Sequence, residues 1–268
     1  MSTPGSEFGP PPARLEERVR REAEIWDAQA LRRETYDWVV EHADNGPARL
    51  RRDAYVRAVM EAEAGGRVLE IGSSAWEGML HRWRILPRRL VCINISEAEI
   101  AYGRARANEV GAEVEFRKMD AHALDFPDAS FDFVFGIAIL HHLEFERAVR
   151  EIHRVLVPWG SLLFIEPLAL NPVARLVRSL TPQARTPDER PIGRAELRLL
   201  DALFETSHLY TDLFHFPAAG ASRFLFKNPV NPLTRAFDVV DHGLLRAIPA
   251  IGPYCRAVTV HGWKRGLS

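Results

Sequence analysis

The chain has 268 residues, of which 47% are hydrophobic and 26% charged, so it can bury a full core and is not a disordered protein. Thirty-five basic and 36 acidic residues give a formal net charge of −1, which offers no general basic excess for binding nucleic acid. Two cysteines, Cys92 and Cys255, are too few for a disulfide framework and lack metal-ligand spacing, so we expect a cytoplasmic protein without a metal ion. No apolar run is long enough for stable membrane insertion, and the scarcity of lysine favours a GC-rich bacterial genome.

The first 64 residues contain no strand-like segment. Residues 1–12 are rich in proline, glycine and serine and are predicted to form a disordered leader. Apolar side chains recur near a 3.6-residue period from Ala13 to about His42, which predicts a helix, and a second helix is predicted over 48–62. Because the sheet's own helices should cover its faces, we expect region 13–64 to form a helical lid over the sheet's carboxyl edge. A terminal lid can be exchanged between subunits, so a homo-oligomer through these helices is part of the prediction.

From residue 65 onward, short apolar runs alternate with helical segments, which is typical of βαβ units and a mainly parallel sheet. Ser96 is predicted to cap a helix, with Glu99 in the capping-box position. Region 65–268 is therefore predicted to be one α/β core. The first five strands are predicted at 67–71, 90–95, 113–119, 131–137 and 161–165.

Beyond Glu166 the alternation of strands and helices is looser. Later helices are predicted at 171–180, 193–204 and 232–248, and strands at 208–216 and 254–263. An insertion at about 217–252 separates the last two strands, and its phenylalanines either line an apolar substrate pocket or pack its own helix. The helix at 232–248 is amphipathic with mixed rather than basic charges, so it could contact a membrane or another subunit.

Polar residues lie at or just beyond the ends of the first four predicted strands. The turn Gly72-Ser73-Ser74 should expose N–H groups at a helix N-terminus, which suits an anionic ligand group, although an ordinary tight turn has the same pattern. Asn94 ends the second strand, where an acidic residue binds the ribose diol in nucleoside-binding α/β folds, or it only stabilises a turn. The third strand is followed by Asp120-Ala121, and the fourth by Leu140-His141-His142-Leu143.

Taken in order, the segments VLEIGSS, DAHALDFPDASFDFVF, LHHL and LVPWGSLLFIEP resemble the class I S-adenosylmethionine-dependent methyltransferases, in their small-molecule branch. The resemblance covers about Arg67 to Pro167. It implies a doubly wound, seven-stranded, mainly parallel sheet of the Rossmann-like methyltransferase type, with strand order 3-2-1-4-5-7-6 and an antiparallel last strand. It also implies S-adenosylmethionine as cofactor and S-adenosylhomocysteine as product.

The sequence departs from the family pattern at two places. Of three glycines usual in the first loop only Gly72 remains, with Ser74 and Trp76 in the other two positions. Trp76 would have to turn outward or cover the cofactor. Asn94 replaces the usual acidic residue.

The resemblance also assigns roles to individual residues. Glu70 would orient the first loop. Residues Gly72 and Ser74 of that loop would lie alongside the methionine moiety of the cofactor. At the ribose and adenine, the implied contacts are Asn94, Ile95, Asp120 and Ala121, with Asp120 accepting a hydrogen bond from the adenine amino group. At the sulfonium they are Gly136 and Ile137. At the cofactor carboxylate the candidates are Trp26, Tyr36 and Arg33.

His141, His142 and Glu166 lie just past the ends of the fourth and fifth strands, where ligands bind in open α/β sheets. By resemblance, His141 with Glu166 is the pair expected to take a proton from the methyl acceptor, and His142 is a further candidate. Alternatively, one histidine caps a turn and Glu166 binds backbone N–H groups.

The predicted function is methyl transfer to an O, N or C atom of an apolar small molecule, such as an isoprenoid or a polyketide-like natural product. Two alternatives stay open. One is a methyltransferase-like fold that binds the cofactor but catalyses cyclisation or isomerisation, and the other is a non-catalytic binding module.

Overall fold

The computed structural model describes residues 13–32, 45–181 and 186–266. The predicted leader, Arg33 and Tyr36, and the C-terminal part of the first predicted helix lie outside these residues. Within the described ranges, no helix combines the length and the apolarity needed to span a bilayer.

Seven strands form one sheet in the order β3-β2-β1-β4-β5-β7-β6, which confirms the predicted order. Strands β1 to β5 pair in parallel, whereas β7 is antiparallel to both β5 and β6. The predicted Rossmann-like methyltransferase fold is therefore confirmed. The strands are β1 (Arg67–Ile71), β2 (Arg89–Asn94), β3 (Val114–Lys118), β4 (Phe131–Ile137), β5 (Leu156–Pro167), β6 (Phe204–Thr211) and β7 (Ala257–Lys264).

Helices connect and cover these strands. In chain order they are α1 (Ala13–Arg32), α2 (Pro47–Glu63), α3 (Ala75–Trp83), α4 (Glu97–Val110), α5 (Phe145–Val155), α6 (Pro172–Leu180), α7 (Arg194–Leu203), α8 (His215–Ser222) and α9 (Pro232–Ala247). Two short 3₁₀ segments, Leu140–His142 and Pro249–Tyr254, complete the described elements. As predicted, Ser96 caps α4, and its side chain accepts the N–H of Glu99.

The sheet has a hydrophobic cluster on each face. Successive strand residues point to opposite faces, so Leu69 and Val134 pack with α5, whereas Val68 and Phe133 pack in the other cluster. Met60 of α2 belongs to this second cluster and is fully buried. Helix α2 therefore covers a face of the sheet. We had expected both N-terminal helices to lie over the carboxyl edge, and α2 does not.

The strand predicted at 208–216 lies earlier in the chain. The observed β6 ends at Thr211, and His215 begins helix α8. The reason is a tertiary contact: the Asp241 carboxylate, from α9, accepts the N–H groups of Leu213, Phe214 and His215. An anion held on three successive N–H groups starts a helix, and no local pattern in residues 208–216 announces it.

Two glycines inside helices provide a matched test of the packing. A Cβ at Gly103 of α4 would lie 2.5 Å from a ring carbon of Phe116, whereas a Cβ at Gly78 of α3 would meet no atom within 4 Å. We expect Gly103→Ala to lower the free energy of unfolding by about 1–3 kcal/mol through overpacking. Gly78→Ala should raise it by up to about 1 kcal/mol through helix propensity. Urea denaturation measures both, and a Gly103→Ala protein as stable as Gly78→Ala would contradict this packing.

Candidate functional site

A cleft opens at the carboxyl ends of β1 to β4. Nine of the residues singled out from the sequence line it: Trp26, Gly72, Ser74, Asn94, Ile95, Asp120, Ala121, Ile137 and His142. The others lining it are Arg18, Val19, Glu22, Ile71, Ile93, Glu99, Met119, His122, Ala138, Ile139 and Leu143. Four further candidates are buried and do not line it: Glu70, Gly136, His141 and Glu166.

The turn after β1 has an unusual backbone. Gly72 has φ 111° and Ser73 has φ 55°, so two successive residues lie at positive φ. The value at Gly72 is one that residues with a Cβ rarely adopt, which explains the glycine that survives there. This turn brings the backbone of Gly72 and Ser74 to the cleft.

The N–H groups that begin α3 are not available to a ligand. Glu70 accepts the N–H of Ala75 at 2.6 Å and that of Trp76 at 3.1 Å. The expectation that this helix N-terminus faces an anionic ligand group was therefore wrong, because these two N–H groups already donate to a carboxyl group of the chain itself. Burial raises the pKa of Glu70 to about 7, although the hydrogen bonds it accepts lower it.

Trp76 does not enter the cleft. It lies in the first turn of α3 with 1% of its surface exposed, and its ring packs edge-on against Phe116 at 5.8 Å. Neither sequence interpretation, an outward turn or a cover for the cofactor, describes it. The bulky replacement for glycine is accommodated in the core, so it leaves the cleft open.

Asn94 connects the first two turns of the cleft. Its amide nitrogen donates to the carbonyl oxygen of Gly72 at 2.8 Å and to Ser73 Oγ at 3.1 Å. Its carbonyl oxygen accepts the N–H of Ser96 at 2.9 Å. An aspartate could not donate to Gly72, so the amide has a structural reason of its own at this position. Its contact with a ribose stays a prediction.

Asp120 is held in place by His122. The N–H of Glu144 donates to His122 Nε2 at 2.7 Å, so that nitrogen carries no proton and Nδ1 donates to Asp120 Oδ1 at 2.6 Å. The N–H of His122 donates to the same oxygen. Burial raises the pKa of Asp120, but these hydrogen bonds outweigh burial, and the net pKa is below its ordinary value. Asp120 therefore presents an ionised carboxylate, with Oδ2 left for a donor in the cleft.

The turn after β4 is fixed by Glu166. Its Oε1 accepts the N–H groups of Ile139 at 2.9 Å and Leu140 at 2.8 Å, and its Oε2 lies 2.7 Å from His141 Nδ1. Glu166 is 1% exposed. The structure thus shows the predicted His141–Glu166 pair together with the backbone binding that was its alternative. Gly136 lies just before this turn, where a Cβ would come within 2.7 Å of Phe164.

Helix α1 lies across the cleft. Arg18 donates to the carbonyl oxygens of His142, Leu143 and Asp188. At the other end of the helix, Asp27 accepts hydrogen bonds from Ser96 Oγ and the N–H of Ala98. These contacts fasten α1 to the β2 and β4 sides of the cleft, so its inner face forms part of the lining.

Glu22 of α1 forms a second pairing of histidine with carboxylate. Its Oε2 lies 3.5 Å from His142 Nδ1 and accepts the indole N–H of Trp26 at 3.2 Å. Burial raises the pKa of Glu22, but its hydrogen bonds with His142 and Thr186 outweigh burial, so the net pKa is lowered and the group is ionised at neutral pH. Of the two pairs, only His142–Glu22 borders the cleft.

Two cleft-lining residues that were not predicted from the sequence could have been found from their helical spacing. Arg18 and Glu22, the two that were missed, and the predicted Trp26 are spaced four apart, so they share one helical stripe with the apolar Leu15 and Val19. Charged residues inside an apolar stripe are candidates for a buried site.

One group could hold a metal ion, among the side chains that the structure describes. The ligand atoms of His141, His142 and Glu189 lie within 4.8 Å of one another. No metal ion was expected from the sequence, because its two cysteines lack metal-ligand spacing.

Comparison with known proteins identifies the family. Residues 69–164 match the family model described as a methyltransferase domain. Over 152 residues, 53% of this chain and 56% of the relative, the chain is 32% identical to the 27-O-demethylrifamycin SV methyltransferase of Amycolatopsis mediterranei. Over 151 residues, 54% of this chain and 70% of the relative, it is 32% identical to the phosphatidylethanolamine N-methyltransferase of Cereibacter sphaeroides. The chain belongs to the class I S-adenosylmethionine-dependent methyltransferases. This confirms the sequence resemblance, and S-adenosylmethionine is the cofactor.

A solved structure supports the fold alone. The [4+2]-cyclase SpnF has a TM-score of 0.52 and 20% identity, over 80% of this chain and 81% of that chain. The cleft has two features that suit S-adenosylmethionine. Asp120 presents an ionised oxygen, the kind of acceptor that an adenine amino group needs, and Ile95, Ala121 and Leu143 give apolar surface that suits a flat ring.

Asp120→Ala should weaken the binding of S-adenosylhomocysteine by about 1–3 kcal/mol, because the adenine amino group loses a charged acceptor. Isothermal titration calorimetry measures the affinity. Asp125→Ala is the matched control, since Asp125 is exposed and does not line the cleft. Equal affinities for the two variants would show that Asp120 does not bind the adenine.

Proposed function

We propose that this chain transfers the methyl group of S-adenosylmethionine to an apolar small molecule. The observation that carries the proposal is the single cleft in which Asp120 and the His142–Glu22 pair share one lining. When bound, the cofactor supplies a methyl group on a sulfonium, which a nucleophile displaces in line. The chain's own residues then have to align the acceptor, exclude water and accept a proton.

We take the proposed cofactor contacts from the residues that line this cleft. Gly72, Ser74, Asn94 and Ile95 line it beside the first two strands. Near the sulfonium the proposal rests on Ile137 and Ala138 rather than on Gly136, because Gly136 is closed in by Ile139 and Phe164. Ala138 has φ 54°, so its backbone is strained at the place where the reacting groups would meet.

His142 is the proposed proton acceptor. Its Nδ1 faces the Glu22 carboxylate and Thr186 Oγ1, so a proton on Nδ1 leaves the Nε2 lone pair for the acceptor's proton. The ionised Glu22 would stabilise the imidazolium that forms, as the third group does in other histidine-based sites. The 3.5 Å separation is long for a hydrogen bond, and such contacts often shorten when ligands bind.

His141 and Glu166 are proposed as positioning residues. Glu166 holds the backbone of the turn that carries both histidines, and His141 is buried against it. Changing Glu166 would release N–H groups in a buried turn, and would therefore move His142 without removing it.

Helix α1 is proposed as a lid. It places Trp26 and Glu22 over the cleft and is fastened at both ends by Arg18 and Asp27. A closed cover excludes water from the reacting groups. Because residues 33–44 follow it and lie outside the described ranges, the lid proposal rests on α1 alone.

The proposed acceptor class is apolar, which covers natural products of polyketide or isoprenoid type. The lining of the cleft is mostly apolar, with valine, isoleucine, leucine, methionine and tryptophan side chains. The names of the two relatives, a rifamycin and a phosphatidylethanolamine methyltransferase, point to large acceptors with extended apolar parts.

Cyclisation is the second candidate, because the chain shares its fold with SpnF, a [4+2]-cyclase. Product mass separates the two. The chain would be incubated with S-adenosylmethionine carrying a labelled methyl group and a panel of apolar phenols, quinols and amines. A product heavier by one labelled methyl, with release of S-adenosylhomocysteine, supports methyl transfer. Conversion of an acceptor without change of mass, and without consumption of the cofactor, would favour cyclisation or isomerisation instead.

His142→Gln should lower kcat for a hydroxyl acceptor by about 10²–10⁴-fold, since the proton acceptor is lost. Glu22→Gln should lower kcat by a smaller factor. Both should leave the affinity for S-adenosylhomocysteine close to that of the unchanged protein. Glu24→Gln, on the same helix but exposed, is the control.

Glu166→Gln provides the contrast, because it should weaken cofactor binding as well as kcat. Full turnover by His142→Gln would contradict the assignment. Loss of turnover on treatment with a chelator, restored by a divalent cation, would also contradict it, and would instead make His141, His142 and Glu189 metal ligands.

A further inference from the structure

The helix α9 exposes apolar side chains to solvent. Val239 is 71% exposed and Val240 49%, and beside the helix Leu225 is 73% and Ile248 50% exposed. A surface helix normally turns its apolar stripe toward the core and its charges outward. We name the exposed face of α9, with Leu225, Lys227 and Ile248, the insertion surface. Its apolar side chains indicate contact with something other than water.

The acidic residues of α9 point inward. Asp241 is 1% exposed and accepts the three N–H groups that begin α8. Asp238 pairs with Arg51 of α2 at 2.8 Å, with its side chain 14% exposed. No other acidic residue occurs between Leu213 and Tyr254. The sequence of α9 has both acidic and basic residues, but the fold turns the acidic ones inward. No acidic side chain remains on the insertion surface.

The charges that remain outside are basic. Lys227, Arg235 and Arg246 are exposed, and Arg235 and Arg246 lie three turns apart on one stripe of α9 with Val239 between them. Val240 lies farther around the same exposed face of the helix. This combination of exposed aliphatic side chains flanked by arginine and lysine is typical of segments that bind the interface of an anionic bilayer.

The insertion surface belongs to the segment that leaves the sheet at its carboxyl edge. Strand β6 is antiparallel to β7, and β7 is antiparallel to β5, so β6 runs in the direction of the parallel strands. The connection that follows Thr211 thus begins at the edge where the cleft opens. A protein bound through this surface would hold that edge of the sheet near the bilayer.

We propose that the insertion surface docks this protein peripherally onto anionic lipid membranes. The helix has 16 residues, fewer than a span requires, so the binding is interfacial rather than transmembrane. A second copy of the chain fits less well, because a two-fold contact would place Arg235 and Arg246 against the same residues of the partner. The proposal does not depend on the reaction catalysed. If the acceptor is apolar, docking would let the protein take it from the bilayer.

The test uses the full chain with sedimentation of lipid vesicles. Phosphatidylcholine vesicles that contain phosphatidylglycerol should bind the protein, and added salt should weaken the binding. Each exposed basic residue contributes about fivefold to partitioning onto an anionic surface, so Lys227→Glu/Arg235→Glu/Arg246→Glu should lower it at least about a hundredfold. Leu225→Ser/Val239→Ser should also lower the partitioning onto these vesicles.

Two control variants lie elsewhere on the molecule. Val110, 37% exposed at the end of α4, lies next to β3 at the opposite edge of the sheet, and Arg88 is exposed just before β2. Val110→Ser and Arg88→Glu should bind vesicles like the unchanged protein. Unaltered affinity for S-adenosylhomocysteine shows that each variant is folded, whether or not methyl transfer has been demonstrated.

Three results would overturn the proposal. The first is no binding of the unchanged protein to phosphatidylglycerol vesicles. The second is equal loss of binding in the control variants. The third is a dimer in size-exclusion chromatography that the Leu225→Ser/Val239→Ser variant abolishes, with no vesicle binding, which would assign the surface to a second copy of the chain.

Discussion

The carboxylate of Glu166, at the end of β5, holds together the wall on which the site depends. It binds two N–H groups of the turn after β4 and the imidazole of His141. Without it, those N–H groups would be buried and unpaired, which costs more than a single hydrogen bond contributes. Glu70 acts in the same way at the end of β1, where it holds the start of α3. Two buried carboxylates thus shape the two turns that flank the cleft.

The apolar parts of the fold could be predicted from the sequence, and several polar contacts could not. The strands at Arg67–Ile71 and Phe131–Ile137 follow directly from short apolar runs, because a strand buried on both faces has no other pattern. The start of α8 could not be predicted, since it depends on Asp241 from another helix. Glu22 was missed for the same reason: its pairing with His142 joins elements far apart in the chain. The family resemblance identified Asp120, whereas its orientation by His122 needed the structure.

The two histidine–carboxylate pairs come from different parts of the fold. His141 and Glu166 come from the turn and strand at the carboxyl edge, whereas Glu22 arrives on α1. In this account His142, the proposed proton acceptor, has its partner Glu22 only when α1 is fastened over the cleft. Closure of the cleft by α1 would therefore also assemble the site. Under the docking proposal, the insertion surface would bring that edge to a lipid-borne acceptor.

The central claim is that the cleft under α1 is the cofactor site, with its adenine end at Asp120. A crystal structure of the full chain with S-adenosylhomocysteine tests this most directly. The account predicts the adenine amino group within hydrogen-bond distance of Asp120 Oδ2, with Glu22 and Trp26 of α1 covering the ligand. A ligand whose adenine lies away from Asp120, or a bound state in which α1 has left the cleft, would contradict it.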